Sequence, residues 1–313
     1  MTSTAPSTFA LGTSGWGTKT TGDDVDRLYE AFRAAGQNTF DTAHIYACWL
    51  PNGLGASERA LGEIVRRRGD RANVILATKG GHPRFADSYP RPDGYLAPEV
   101  IAQDIAQSLE RLSVDSIDMY FLHRDDPRVP VGEIVDTVNE HVGTGAIRQI
   151  GVSNWTTPRI AEANCYAAAK GKRPFVAHQA KLSLAVSKPS KDPSVPLFGD
   201  AELAWHASSQ MPIWAYTSTA SGYFATDGAR GGGGLEQPIS AARLREANRL
   251  AHELAATPNQ IALAWLLLHP DVKIIPLLGT ANLDHLHDAL KASAIRLERA
   301  AWESLSRAQA PGQ

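Results

Sequence analysis

The sequence predicts an α/β protein built as a single (β/α)8 barrel of the TIM type, with the active site at the C-terminal ends of the strands. Short β-branched or aromatic runs alternate with helical units eight times, at about 36 residues per unit, which is typical of such a barrel. No G-x-G-x-x-G follows the first strand, which argues against a doubly wound sheet. No Pro/Ser-rich linker divides the chain, so we expect one domain over residues 1–313.

The individual elements follow from local pattern. Short apolar runs predict strands at Leu11–Ser14, Asn38–Ala43, Asn73–Lys79, Ile117–His123, Ile147–Ser153, Phe175–Ala180, Ile213–Thr217 and Val272–Leu277. Longer amphipathic stretches predict helices at Asp23–Ala34, Ser57–Arg67, Pro98–Arg111, Val131–Val142, Pro158–Lys170, Asp200–Ser208, Ser240–Ala255, Pro258–Leu268 and Asn282–Leu290. Thr157-Pro158 and Thr257-Pro258 each predict a capping hydroxyl before a first-turn proline, and Pro98 starts its helix similarly. The glycine run Gly231–Gly234 predicts a flexible connection rather than a phosphate-binding loop.

Composition and charge exclude several classes of protein. The 313 residues are 43% hydrophobic and 20% charged, which is ordinary for a globular chain. Lys and Arg total 31 against 33 Asp and Glu, so no basic excess indicates a nucleic-acid partner. Cys48 and Cys165 have neither zinc nor redox spacing, and we expect no metal. The N-terminus lacks a signal-peptide pattern and the longest apolar stretch is short, so we expect a cytoplasmic protein without a membrane partner.

Polar side chains interrupt the apolar runs where the predicted strands end. These residues are Asp41, Lys79, His123, Ser153, Asn154, Gln179 and Tyr216, with Tyr46 five residues after Asp41. Taken singly, each fits a cap, a solvated charge or a core hydrogen bond. Together they supply a carboxylate, a cation, an imidazole and a phenol at one mouth of the barrel. A lysine ammonium lowers a phenol's pKa and an aspartate keeps the lysine charged, so the set predicts proton-transfer chemistry.

These residues lie in phrases that resemble the aldo-keto reductase family over nearly the whole chain. The phrases are Phe40-Asp41-Thr42-Ala43 with Tyr46, Ser57-Glu58-Arg59-Ala60-Leu61-Gly62, Ala77-Thr78-Lys79, Leu122-His123, Gly151-Val152-Ser153-Asn154-Trp155, Gln179, Trp214-Ala215-Tyr216, and Ile275-Pro276 followed by Gly279-Thr280.

The resemblance implies a metal-free barrel enzyme that binds NADP(H) or NAD(H) and interconverts a small-molecule carbonyl and its alcohol. Its catalytic tetrad is Asp41, Tyr46, Lys79 and His123, with Tyr46 as the proton donor. It also implies that Ser153, Asn154 and Gln179 hold the carboxamide and that Tyr216 stacks on the nicotinamide. The remaining cofactor contacts that it implies are Thr217, Ser218, Gly222, Gly279, Thr280, His285 and Asp288.

Departures from the family pattern bear on cofactor and substrate. Gly279 and His285 stand where NADP-preferring members carry basic residues, so the preference between the two cofactors stays open. The loop after Tyr46 is long, and its Trp49 is interpreted either as a lid over substrate or as packing within the loop. Trp16 resembles a substrate-pocket aromatic, and Arg124 suits a polyhydroxylated ligand such as a sugar or is a solvated loop charge.

Two alternative functions are kept. Lys79 at a strand end would suit a Schiff-base aldolase, although pairing with Asp41 opposes a neutral amine. A non-catalytic, cofactor-sensing partner protein is the other, since the potassium-channel beta subunits of this family also keep the tetrad. The physiological substrate, the direction of the reaction and the oligomeric state are not predicted.

Overall fold

The computed structural model describes residues 6–85, 87–230, 234–235 and 237–308, so Gly231–Gly233 of the glycine run lie outside the described residues. Its strands close into a barrel in sequence order, which confirms the predicted fold class. They are β1 Ala10–Gly12, β2 Thr39–Asp41, β3 Ile75–Gly80, β4 Ile117–Leu122, β5 Ile147–Ser153, β6 His178–Lys181, β7 Ile213–Tyr216 and β8 Ile274–Leu278.

The helices lie close to their predicted positions, apart from the last one in the chain. They are α1 Asp23–Ala34, α2 Ala56–Arg68, α3 Pro98–Leu112, α4 Val131–Gly143, α5 Thr157–Ala169, α6 Asp200–Ser209, α7 Pro238–Glu253, α8 Pro258–Leu267, α9 Leu283–Leu290 and α10 Arg299–Arg307. Helix α10 was not predicted, although its amphipathic pattern buries Leu305. In the described part of the chain, no helix combines the length and apolar character needed to cross a bilayer.

The predicted helix caps have different outcomes. Thr257 caps α8 as predicted, since its hydroxyl accepts from the Gln260 amide and the Gln260 side chain returns to Thr257. Pro98 is the first residue of α3, as predicted. The cap predicted at Thr157 is wrong, because α5 already begins there and the preceding Thr156 makes no side-chain capping bond.

The chain forms two compact units, Met1–Gln179 and Ala180–Gln313. The first contains β1 to β5 and α1 to α5, and the second contains β7, β8 and α6 to α10. The single domain expected over residues 1–313 is not tested by this division and stays a prediction.

Parallel register in the first unit aligns the strand ends that carry the polar residues. Asp41 of β2 pairs with Ala77 of β3, and Lys79 pairs with Phe121 of β4. The ladder continues into the following loops, where the His44 amide bonds the Lys79 carbonyl and the His123 amide bonds the Gly80 carbonyl. The segments after β2 and β4 are thus tied to the C-terminal end of β3.

Candidate active site

Lys79 is the centre of a buried polar group in the first unit. Its side chain is 0% exposed, and its Nζ donates to Asp41 Oδ2 at 2.7 Å, to the Thr42 carbonyl at 2.7 Å and to Tyr46 Oη at 2.9 Å. An ammonium has three N–H donors, so these acceptors satisfy all of them. The ammonium and the phenol oxygen are therefore held in contact by the fold.

A tight turn after β2 brings Tyr46 back over Lys79. The Tyr46 amide bonds the Ala43 carbonyl at 3.1 Å, and Ala47 takes a left-handed conformation with φ 66° directly after it. A non-glycine residue in that region is strained, and such strain persists where the surrounding structure enforces it. The turn explains why a tyrosine five residues from Asp41 reaches the same ammonium.

Gln179 forms a hydrogen bond with Asp41 of the predicted tetrad. Its Nε2 donates to Asp41 Oδ1 at 2.8 Å, so both carboxylate oxygens of Asp41 have partners within the protein. The carboxylate is 1% exposed, and a buried charge with satisfied hydrogen bonds tolerates burial far better than an unpaired one. Gln179 therefore orients Asp41, and its predicted contact with a cofactor carboxamide stays a prediction.

Burial and charge act in opposite directions on the lysine and the phenol. Burial disfavours the Lys79 ammonium, but the Asp41 carboxylate and the hydrogen bonds outweigh it, so the pKa of Lys79 is raised. Burial raises the pKa of Tyr46, and Lys79 only partly offsets this effect. The lysine lowers the phenol pKa as expected from the sequence, yet the net shift is upward. At neutral pH the phenol therefore carries its proton.

His123 lies beside the tetrad phenol. Its ring centroid is 6.2 Å from that of Tyr46, with the planes at 81°, and the residue is 9% exposed. Burial and then the neighbouring His82 hold the pKa of His123 well below its usual value, so the imidazole is neutral at pH 7. Within the described residues its Nδ1 has no hydrogen-bond partner.

Ser153 and Asn154 follow β5 and bond one another. Asn154 Nδ2 donates to Ser153 Oγ at 2.9 Å and to the His123 carbonyl at 3.3 Å. Asn154 has φ 59°, a left-handed conformation that asparagine tolerates better than most residues. Both predicted cofactor residues thus lie next to the backbone of His123.

In the second unit, a strained loop follows β7 and Tyr216. Thr217, Ala220 and Ser221 have φ values of 58°, 50° and 54°, and Gly222 has φ 88°. Ser218 Oγ donates to the Leu277 carbonyl at 2.7 Å and ties this loop to β8. Repeated left-handed residues are costly, and they cluster at binding sites more often than in ordinary connections.

A cavity of about 770 Å³ in the second unit brings together many predicted cofactor residues. Gly222, Gly279, Thr280, His285 and Asp288 all line it, whereas Tyr216, Thr217 and Ser218 do not. The residues of its wall outside the predicted cofactor segments Thr217–Gly222 and Gly279–Asp288 are Ala225, Thr226, Arg230, Thr257, Pro258, Asn259, Leu278 and Ala289.

Asp288 and Arg230 are two charged residues that line this cavity. The Asp288 carboxylate accepts bonds from Thr257 Oγ1, Asn259 Nδ2 and Gln260 Nε2 at 2.7–3.1 Å, so it fastens the start of α8. The backbone amide of Arg230 donates to Thr226 Oγ1 at 3.0 Å. Arg230 directly precedes the glycine run, and no motif in the sequence indicates it.

The three residues predicted to contact substrate lie in different surroundings, all in the first unit. Trp16 is 1% exposed and packs near Phe40 at 6.3 Å between ring centroids, so its burial does not support a substrate-lining role, which stays a prediction. Trp49 is 46% exposed and contacts Phe85, at 6.2 Å between centroids. Arg124 is partly buried, and its Nη1 donates to the His123 carbonyl at 2.9 Å.

A second buried polar network, which the sequence did not indicate, adjoins the tetrad. Asp104 of α3 pairs with Arg91 and bonds the Gly81 amide at 2.9 Å. His44 bonds Tyr89 Oη at 2.9 Å and Gln107 Oε1 at 2.7 Å. The network anchors the loop after β3. Among the described residues, no group of His, Cys, Asp or Glu side chains is arranged to hold a metal ion.

An Asp–Lys–Tyr unit beside a neutral histidine, on a parallel barrel, is the arrangement that the sequence predicts for an aldo-keto reductase. The comparisons agree with this class. The family model described as "Aldo/keto reductase family" matches residues 8–310, and the chain belongs to that family. It is accordingly an NAD(P)-dependent oxidoreductase.

Individual relatives are similar over most of their length. The chain is 29% identical to a 6-dehydroglucose reductase of Novosphingobium aromaticivorans, covering 89% of this chain and 83% of the relative. It is 28% identical to a putative voltage-gated potassium channel subunit beta of Schizosaccharomyces pombe, covering 91% and 84% respectively. The crystal structure of the thermostable aldo-keto reductase Tm1743 with the inhibitor epalrestat matches with a TM-score of 0.70 at 26% identity, covering 97% and 96%.

Proposed function

We propose that the protein reduces a small-molecule aldehyde or ketone to its alcohol with NADPH or NADH, and that Tyr46 donates the proton to the carbonyl oxygen. The observation that carries this proposal is the 2.9 Å contact between Lys79 Nζ and Tyr46 Oη, with Asp41 on the far side of the ammonium. The cation stabilises the phenolate that remains after the proton has left.

The protonation states at neutral pH suit a proton-donating role for Tyr46. A raised pKa keeps Tyr46 protonated, and a proton donor for reduction must be protonated. The neutral His123 carries one N–H, and it would donate that hydrogen bond to the carbonyl and orient it beside the phenol.

The described residues fit a nicotinamide dinucleotide. When bound, this cofactor supplies the hydride. The cavity of about 770 Å³ is large enough for the adenosine and phosphate part of this cofactor. Gly222, Gly279, Thr280 and His285 would contact that part. Ser153, Asn154 and Gln179 would hold the carboxamide, Tyr216 would stack on the nicotinamide, and Thr217 and Ser218 would shape the loop around the pyrophosphate.

We assign the cofactor preference to NADP(H), because Arg230 is among the residues that line the cavity. Arg230 can form a two-pronged bond with a phosphate, and it compensates for Gly279 at the position where a basic residue was expected. A Cβ added at Gly279 would meet nothing within 4 Å, so this part of the wall has room for a phosphate-bearing ligand.

The substrate class that we propose is a sugar-derived carbonyl. Two relatives are named 6-dehydroglucose reductase, from Novosphingobium aromaticivorans and Agrobacterium fabrum. In the first unit, Arg124 lies against the backbone of His123 and offers donors for hydroxyl groups.

The alternatives have less support. An aldolase needs a neutral lysine, whereas Lys79 has three hydrogen-bond acceptors and a raised pKa. A cofactor-sensing partner role is suggested by the similarity to the Schizosaccharomyces pombe channel subunit.

Tyr46→Phe is the direct test, with Tyr166→Phe on α5, a partly buried tyrosine that bonds Asp136, as the matched control. We expect loss of about 10²- to 10⁴-fold in kcat for aldehyde reduction, because the proton donor is removed. NADPH binding, followed by cofactor fluorescence, should stay within a factor of two or so of the unmodified protein. The rate of the unmodified protein should be level through neutral pH and fall where Tyr46 ionises. Tyr46→Phe with full turnover would show that another group donates the proton.

A further inference from the structure

A row of aromatic rings runs from the surface of the first unit to the tetrad phenol. Trp49 and Phe85 contact at 6.2 Å between ring centroids, Phe85 and His82 at 6.5 Å, His82 and His123 at 4.8 Å, and His123 and Tyr46 at 6.2 Å. Exposure falls along this row, from 46% and 56% at Trp49 and Phe85 to 8% and 9% at the two histidines.

The two outer rings come from different loops and are brought together only by the fold. Trp49 lies in the long loop after β2, and Phe85 lies in the loop after β3. Two large rings left about half exposed and in edge-to-face contact form an apolar surface that a third ring can cover. Their exposure to solvent is costly unless a ligand covers them.

The loop that carries Phe85 is anchored on both sides of its tip. Beyond the tip, Arg91 pairs with the buried Asp104, and Tyr95 Oη donates to the Asp125 carbonyl at 2.7 Å. Before the tip, the Gly81 amide bonds Asp104. At the tip itself Arg84 pairs with Asp87, so these opposite charges offset one another beside Phe85. The tip thus presents an apolar ring with little net charge on a fixed base.

His82 connects the exposed pair with the tetrad. Its Nδ1 lies 2.8 Å from the Pro83 carbonyl, and since a carbonyl only accepts, Nδ1 is the donor and carries a proton. This bond fixes the imidazole plane between Phe85 and His123. A ligand chain that starts at Tyr46 and follows the row therefore passes the edge of His82 before it reaches Phe85.

We propose that Phe85 and Trp49 form a distal subsite that binds an uncharged six-membered ring of the substrate, on the side remote from the reacting carbonyl. The proposal rests on the proposed function, because the row begins at Tyr46. The preferred substrate then carries a ring remote from its carbonyl carbon, and both an aryl ring and the C–H face of a pyranose have this chemistry. Phe85 and Trp49 determine specificity and take no part in proton transfer.

The test compares matched aldehydes with the full chain and NADPH. Propanal has no ring, 3-phenylpropanal has an aryl ring, and a methyl hexopyranoside oxidised to the aldehyde at carbon 6 has a sugar ring. The readout is the ratio of kcat/KM for each ring-bearing aldehyde to that for propanal. Phe85→Ala should lower this ratio about 3- to 10-fold, the range expected from the loss of one aromatic stacking contact. Phe85→Leu should lower it less, because apolar area remains.

Leu254→Ala is the control, since it also removes an exposed apolar side chain, and it should leave the ratio unchanged. The ring-bearing aldehyde whose kcat/KM ratio falls more in Phe85→Ala identifies the type of ring that the subsite binds. A ratio that stays constant in Phe85→Ala and Trp49→Ala for both rings overturns the proposal while leaving the proposed function intact.

Failure of the proposed function has a different signature. In that case none of the three aldehydes is reduced by the unmodified protein. Binding can then be followed without turnover, by quenching of tryptophan fluorescence with 3-phenylpropanol in the unmodified protein and in Phe85→Ala. Quenching that weakens severalfold in the variant supports the subsite without any catalysis, and equal quenching in both proteins overturns it.

Discussion

Replacing Lys79 by methionine should destabilise the protein by leaving the Asp41 carboxylate buried without its cation. Asp41 is 1% exposed, and among the described residues the Gln179 amide at 2.8 Å is the side-chain partner that remains after the change. Removing one partner of a buried ion pair costs about 3–5 kcal/mol of unfolding free energy. For a chain of this length that corresponds to a fall of about 5–8 °C in Tm.

The destabilisation should depend on pH in a definite direction. Burial raises the pKa of Asp41, and without Lys79 nothing charged offsets that effect. A folded-state pKa above the unfolded value means that the penalty is absent below the unfolded pKa of about 3.9 and grows as the pH rises toward the folded pKa. The difference in Tm between Lys79→Met and the unmodified protein should therefore be smaller at pH 5 than at pH 8.

Thermal unfolding followed by circular dichroism measures both effects, and a second substitution isolates the pair. In Asp41→Asn/Lys79→Met the charge that needs a partner is gone, so the double variant should be more stable than Lys79→Met alone. Such non-additivity is expected for residues in direct contact. Equal Tm values for Lys79→Met and the unmodified protein at pH 8, or a double variant as unstable as the sum of the single changes, would refute the account of a buried charge pair.

Two further predictions concern the cofactor cavity and the packing behind the tetrad. Arg230→Ala should weaken NADPH binding about tenfold or more while changing NADH binding little, because a charge-assisted phosphate contact is lost, and parallel fluorescence titrations with Arg296→Ala as the control measure it. Equal losses for both cofactors would contradict the assignment. Gly80→Ala should destabilise by about 1–3 kcal/mol or more, because its Cβ would lie 2.0 Å from Tyr120 Oη, whereas Gly143→Ala meets nothing within 4 Å and should be neutral or stabilising in the same denaturant titration.

The fold and the tetrad were predictable because their signals are local. Each strand is a short apolar run, and Lys79 and His123 stand out where such a run ends in a charged or polar residue. Parallel pairing then places those ends at one edge, whatever the details of the loops. The same local reasoning could have found α10, since Trp302 and Leu305 have helical spacing.

The second polar network was not predictable, because its members are far apart in the chain. Arg91 Nη2 lies 3.1 Å from His44 Nδ1, although the two residues are 47 positions apart in the chain. Singly, each is an ordinary loop residue, and no period or motif connects them. Arg230 escaped notice for a related reason, since only the fold of the loop after β7 brings it to the cavity that contains His285.

The sequence does not show how far Tyr46 is removed from solvent, and that burial decides the direction in which its pKa shifts. The sequence predicts that a nearby lysine lowers the phenol pKa, and the structure contains that lysine at 2.9 Å. Desolvation is nevertheless the larger effect, so the net shift is upward. The tetrad therefore holds a protonated phenol next to a permanent cation. Under the proposed function, Lys79 then acts mainly after proton transfer, by stabilising the phenolate that remains.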